Sequence, residues 1–159
     1  GLKLTIFTCS AAISACEKGG QWCRTQALLR EMLQERLPMN MITWNAVISS
    51  CEKGGEWDRV ISLLRMLQRS GVQADQITYS AAISACEKGA ESQHAFVLFL
   101  EMQQQSLEPE VITYNALISA CEKGKQAEEA LRLLEDMRRR GLEPDVITFN
   151  AAISACEKG

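Results

Sequence analysis

The chain has 159 residues, of which 23% are charged and 47% hydrophobic, with a formal net charge of −3. No stretch approaches the ~20 consecutive apolar residues that a membrane-crossing helix needs, and a mildly acidic total argues against indiscriminate adhesion to nucleic acid. The apolar content is ample for helices with one buried face each.

Cys-Glu-Lys-Gly occurs five times, at Cys16, Cys51, Cys86, Cys121 and Cys156, with 35 residues between successive copies. The likeness is wider than that tetrapeptide. Ile-Thr-Trp-Asn-Ala-Val-Ile-Ser-Ser-Cys-Glu-Lys-Gly starts at Ile42, and Ile-Thr-Tyr-Asn-Ala-Leu-Ile-Ser-Ala-Cys-Glu-Lys-Gly starts at Ile112. A fixed period of this length predicts stacked repeats, here 6–40, 41–75, 76–110, 111–145 and a partial unit 146–159. The chain begins at Gly1 and stops one helix into its last unit, which reads as a piece of a longer array, and no targeting peptide is visible.

In chain order the pattern predicts helices over 8–18, 22–35, 43–53, 57–69, 78–88, 92–105, 113–123, 127–140 and 148–158. The unit 111–145 shows why. Thr113 is the expected N-cap, repeated as Thr8, Thr43, Thr78 and Thr148, and no Glu or Gln follows to complete a capping box. Tyr114, Leu117, Ile118 and Cys121 form an i, i+3, i+4, i+7 stripe. Gly124 is the expected left-handed C-cap. A second stripe, Ala127, Ala130, Leu131, Leu134 and Met137, runs to Gly141, and Pro144 prevents continuation. Trp57, Val60, Ile61, Leu64 and Leu67 form the equivalent stripe in the second unit, and Ala95, Phe96, Phe99 and Met102 in the third. In the first unit Thr25 and Gln26 interrupt it. Trp22 and Trp57 read as packing residues. A single hairpin cannot bury its apolar face alone, so neighbours must stack.

Of the seven cysteines, the periodic five would lie roughly 10 Å apart in stacked helices, beyond the ~7 Å that a disulfide spans. The sequence has no Cys-x-x-Cys pair of the kind zinc sites use. The five therefore read as small buried apolar side chains in a reducing compartment. Cys9 and Cys23 stand outside the series. His94 is the single histidine, and no nucleophile–base pair, phosphate loop or metal cluster accompanies it. No catalytic residue, metal or cofactor is expected, and the chain reads as a non-enzyme.

A 35-residue helical hairpin that carries Val-Ile-Thr-Tyr-Asn-Ala-Leu-Ile-Ser-Ala-Cys-Glu-Lys-Gly and closes on Gly-Leu-Glu-Pro-Asp resembles the pentatricopeptide repeat family, in its P-type, over residues 6–159. The resemblance implies an all-α solenoid, a right-handed superhelix of helical hairpins, that binds single-stranded RNA at about one base per repeat. It implies base reading by the fifth and last residues of a unit: Ser10 with Asn40, Asn45 with Asp75, Ser80 with Glu110, and Asn115 with Asp145, while Asn150 is the fifth residue of the last unit. By the family's code the first pair implies adenine, and the second and fourth imply uracil. Ser80 with Glu110 departs from the code, its acceptor-only carboxylate pointing to guanine or uracil.

The second residue of each unit, Phe7, Ile42, Ile77, Ile112 and Ile147, is by resemblance a wedge between successive bases; packing between repeats is its plainer role. Lys18, Lys53, Lys88, Lys123 and Lys158 would align into a stripe suited to phosphates, or serve the helix dipole, with Glu17, Glu52, Glu87, Glu122 and Glu157 offsetting them. The resemblance further implies a chloroplast or mitochondrial setting, RNA-processing proteins as partners, and neither a membrane nor a small-molecule substrate. The competing scaffold is a tetratricopeptide-like peptide binder, whose 34-residue Trp-x-x-Leu-Gly-x-x-Tyr pattern is absent.

Overall fold

A computed structural model describes residues 5–159. Among them are nine helices of 13 residues and no strand. They fall into two compact units, one ending at Ala74 and one beginning at Asp75. The first holds α1 (Ile6–Lys18), α2 (Trp22–Gln34), α3 (Met41–Lys53) and α4 (Trp57–Arg69). Within it α1 packs on α2 and α3, α2 on α3, and α3 on α4. The second holds α5 (Gln76–Lys88), α6 (Ser92–Gln104), α7 (Val111–Lys123), α8 (Ala127–Arg139) and α9 (Val146–Lys158). There α7 packs on α5 and α9, while α6 and α8 cover one side of the row. No helix among the described residues is long and apolar enough to cross a membrane.

The first helix of each hairpin starts two residues before the expected position. The repeated Thr is not the N-cap. The caps are Thr5, Asn40, Asp75, Glu110 and Asp145, all in extended backbone. The carboxylate or amide oxygen of Asn40, Asp75 and Asp145 accepts the backbone N–H of the Thr three residues on, at 2.9 Å in each case. In α1 and α9 the Thr hydroxyl also returns a bond to the cap's own N–H, at 3.0 Å. The capping box is therefore present with Thr in the place usually held by Glu or Gln. A polar residue of the preceding loop satisfies the orphan donors, and so the helix extends back to meet it.

The helix ends differ from expectation too. Gly54 and Gly124 keep right-handed backbone, φ −77° and −82°. The left-handed residue is the next one: Gly20, Gly55, Ala90 and Lys125, with φ between 54° and 74°. The glycine of the repeated tetrapeptide has a steric role. A Cβ on Gly54 would lie 2.6 Å from the Trp22 ring, and one on Gly159 would lie 2.8 Å from the Ala127 Cβ. The chain is thus bare where one hairpin's first helix abuts the start of the preceding hairpin's second helix.

Tyr114, Leu117, Ile118 and Cys121 are fully buried, as the stripe predicts. In the second helices one position of the core face differs from the expected stripe. Leu63, Leu98 and Leu133 are buried, whereas Ile61 and Phe96 are half-buried and Leu131 is exposed. The face runs Ala130, Leu133, Leu134, Met137, so the residue two places after Leu131 takes its expected place in the core. Thr25 is buried and meets the Ser50 hydroxyl at 3.0 Å, which satisfies both polar groups inside the first unit. Trp22 is half-buried, with the Arg59 guanidinium 4.6 Å above its ring. All three tryptophans, Trp22, Trp44 and Trp57, lie in the first unit, and both tyrosines, Tyr79 and Tyr114, in the second.

Cysteine burial depends on position. Cys51, Cys86 and Cys121 are buried, Cys16 is half-buried and Cys156 is exposed in a groove with Leu131, Phe149 and Ile153. The expectation of five equivalent buried thiols therefore holds for the middle three alone. Burial pushes Cys51 and Cys86 up to about 11 and Cys121 to about 12, the behaviour of inert thiols. No described cysteine is in a disulfide, and no cluster of three or more metal-ligating side chains occurs among the described residues.

Candidate nucleic-acid interface

The start of each first helix carries a large apolar residue that the core does not use. Phe7 is 83% exposed, Ile42 71%, Ile77 65%, Ile112 63% and Ile147 62%. Packing between repeats therefore does not account for this position. One exposed Ile is unremarkable, but the same position exposed in every repeat marks a surface kept apolar for contact. Phe7 and Ile42 stand at the same position of two helices, α1 and α3, that pack side by side in one unit, and Ile77, Ile112 and Ile147 do so on α5, α7 and α9 of the other.

Beside this row sit polar groups joined through the buried Thr. In the first unit the Ser10 hydroxyl meets Thr43 Oγ1 at 2.7 Å, and Thr43 Oγ1 donates to Asn40 Oδ1 at 3.0 Å. In the second unit Ser80 meets Thr113 Oγ1 at 2.9 Å, and the Glu110 backbone N–H reaches the same oxygen at 3.4 Å. Asp75 accepts from the Thr78 hydroxyl at 2.7 Å. Asn115 and Asp145 meet directly: the Asn115 amide donates to both carboxylate oxygens at 3.2 Å, and the one proton of the Thr148 hydroxyl is shared between Asn115 Oδ1 and Asp145 Oδ1. Bonds from the backbone N–H and hydroxyl of Thr148 hold the Asp145 carboxyl below its usual range, so it presents acceptors only.

Three of the four expected pairs thus lie within one unit each, and each of these is linked directly or through a Thr. Asn45 is half-buried on α3 of the first unit, Asp75 caps α5 of the second, and Asn150 is exposed on α9. The buried Thr itself is the group the sequence reading placed wrongly. Its signal was an unvarying Thr three residues after a variable polar residue, which is the spacing of a reciprocal cap.

The lysines of the repeated tetrapeptide lie at the opposite end of the first helices, and they are not a bare basic stripe. Lys53 pairs with Glu17 at 2.9 Å, Lys123 with Glu87 at 2.7 Å and Lys158 with Glu122 at 2.7 Å. Each of those glutamates also accepts from a serine of the following repeat: Ser49 at 3.0 Å, Ser119 at 2.9 Å and Ser154 at 2.7 Å. Charge neutralisation between repeats follows, and Glu17 and Glu122 are lowered chiefly by their lysine bonds. His94 lies exposed on α6, with Glu91 Oε2 3.3 Å from its ring.

Three sequence profiles match the chain: a PPR repeat over 42–72, a pentatricopeptide repeat domain over 62–124 and the PPR repeat family over 109–158. Significant matches among curated protein sequences are absent. Among solved structures, the chain is similar to the pentatricopeptide repeat protein PPR10 in complex with an 18-nt psaJ RNA element. Identity is 28% and the TM-score 0.81, covering 99% of this chain and 23% of that one. The structure of PPR10 from maize also matches, at 28% identity and a TM-score of 0.75, over 98% of this chain and 22% of that one. The chain therefore spans under a quarter of PPR10's length. The PPR domain of Arabidopsis thaliana protein-only RNase P 1, in complex with tRNA, shares the fold at 14% identity and a TM-score of 0.83, covering 99% of this chain and 83% of that domain. These likenesses place the all-α architecture among helical-repeat solenoids.

Proposed function

Because this chain belongs to the pentatricopeptide repeat family, we propose that it binds single-stranded RNA through the starts of its first helices, at about one base per repeat. The observation that carries this reading is the recurring exposed apolar side chain flanked by hydrogen-bonded polar pairs. An apolar group against the base faces and a polar group at the base edge are the two kinds of contact by which single strands are recognised. The RNA bound to PPR10 supports the partner class.

The pair Ser10 with Asn40 reads adenine, and Asn115 with Asp145 reads uracil. Ser80 with Glu110 takes a base with an N–H at its pairing edge, guanine or uracil. Phosphate contact at Lys18, Lys53, Lys88, Lys123 and Lys158 is the weaker part of this proposal, because the glutamate ladder already engages three of them. The chain acts as a scaffold rather than a catalyst, and a chloroplast or mitochondrial setting with RNA-processing partners belongs to the same proposal. The test is a titration with short single-stranded RNAs of differing sequence. Preference for one sequence over its permutations supports the reading; equal, weak binding to all of them rejects it.

A further inference from the structure

Each polar pair that lies within one unit is bridged by a threonine that belongs to the next repeat. Thr43 and Thr148 are 1% and 0% exposed, so neither hydroxyl can touch a ligand. Their geometry nevertheless fixes what the exposed groups can offer. Asn40 Oδ1 faces the Thr43 backbone N–H at 2.9 Å, which can only donate, so the oxygen and not the amide nitrogen points inward. The same oxygen lies 3.0 Å from Thr43 Oγ1. Two oxygens at that distance attract only if a proton lies between them, and the Thr43 hydroxyl must supply it. That hydroxyl has one proton. Ser10, 2.7 Å away, must therefore donate its own proton to Thr43 and is left with lone pairs alone. The outward edge becomes an acceptor from Ser10 beside a donor from the Asn40 amide.

Adenine presents the complementary donor and acceptor at its pairing edge, whereas guanine presents the reverse order there. At the last pair the sense is inverted. The single Thr148 hydroxyl proton lies between two acceptors, Asn115 Oδ1 and Asp145 Oδ1, the Asn115 amide turns to Asp145, and the carboxylate offers acceptors.

We propose that Thr43 and Thr148 are positioning residues for base selectivity: the threonine of the following repeat sets the hydrogen-bond polarity of the pair before it, so each base-reading site is completed by its neighbour. This rests on the RNA reading given above. Without the Thr43 hydroxyl, Ser10 can rotate and donate, and the site accepts guanine's carbonyl as readily as adenine's amino group.

The experiment compares wild type, Thr43→Val and Thr43→Ser. Each is titrated with two RNAs that differ only by adenine or guanine at the base facing Ser10 and Asn40, and with a second pair that differs at the base facing Asn115 and Asp145. Circular dichroism at the assay temperature confirms that every variant is folded. Thr43→Val should cut the adenine-over-guanine ratio by about tenfold and leave the ratio at the other base unchanged, while Thr43→Ser keeps both. Equal discrimination in wild type and Thr43→Val overturns the inference and leaves the RNA reading standing. Loss of affinity for all RNAs with the ratio intact also overturns it, because a purely structural threonine behaves that way. A folded wild type without preference at either base overturns both.

Discussion

The two ends of the first helices are equally periodic and equally polar, yet they are built for different purposes. At the far end, Ser49, Lys53 and Glu17 and their equivalents close on one another, so the acceptors and donors of one repeat are consumed by the next. At the near end, Ser10, Asn40, Asn115 and Asp145 are also bonded, but they retain outward donors and acceptors, and they flank apolar side chains that nothing covers. Periodic polarity therefore does not by itself mark a binding surface. Residual hydrogen-bonding capacity next to exposed apolar area does.

The comparison is most directly broken at the apolar row. Replacing Ile77 and Ile112 together with Ala should lower RNA affinity by roughly 10- to 100-fold, since each truncation removes apolar surface that bases would cover, worth on the order of 1 kcal/mol or more per side chain. Stability should stay within about 0.5 kcal/mol, because both side chains are exposed. A binding titration alongside thermal melting checks both. Unchanged affinity would remove the near end from the interface.

A single-atom exchange sharpens the same contrast. Asp145→Asn keeps an N-cap of equal quality, as Asn40 demonstrates at α3. It replaces an acceptor with an amide that can donate to cytosine N3. Preference at one base should move from uracil to cytosine by on the order of tenfold, with the melting curve unaltered. A competition assay between RNAs differing at that base measures it; equal loss for every RNA would mean that Asp145 serves the helix alone.

The far end can be opened on purpose. Glu87→Gln removes the carboxylate that holds Lys123 at 2.7 Å. Left with only the backbone carbonyl of residue 87, at 2.9 Å, and with its charge no longer neutralised, Lys123 should add non-specific affinity and steepen the dependence on salt by up to ~0.7 for each phosphate it newly neutralises. Lys123→Ala in the intact ladder should leave that slope nearly unchanged. A flatter slope for Lys123→Ala would show that the lysine contacts phosphate despite its partner.

The smallest effects are those of pH on stability. Cys51, Cys86 and Cys121 resist ionisation in the folded state. Above about pH 9 the unfolded chain releases thiol protons that the folded chain retains, so stability should fall as pH rises through 9 to 12. On the acid side, Glu17 and Glu122 hold their charge better when folded, chiefly through Lys53 and Lys158. Their contribution is complete above about pH 4.5 and is lost as pH falls below it. Denaturant midpoints across pH report both limbs.

The nine helices and their ends near Lys18, Lys53, Lys88, Lys123 and Lys158 were legible in the sequence because an apolar stripe and a closing Gly are local signals. Helix starts were not, because Asn40 or Asp145 reads equally well as loop, cap or ligand contact. The structure makes it a cap that also faces outward. The Glu–Lys ladder escaped notice because its partners are 36 residues apart, Glu17 to Lys53, while periodicity aligns like with like at 35. Exposure of Ile77 and its equivalents was equally hidden, since an Ile at a helix start is as compatible with packing as with contact. Only the neighbouring helix shows which side of it is empty.

The segregation of aromatic residues gives the molecule a built-in optical label. Indole emission comes solely from Trp22, Trp44 and Trp57, before Ala74, with Trp44 almost fully enclosed. Excited at the red edge of indole absorption, where tyrosine is dark, the protein reports on its first unit and is silent about its second. Far-ultraviolet ellipticity reports on both. Coincident transitions by the two probes would mean that the repeats melt as one body, and separated transitions would give the stability of each unit from a single unlabelled sample.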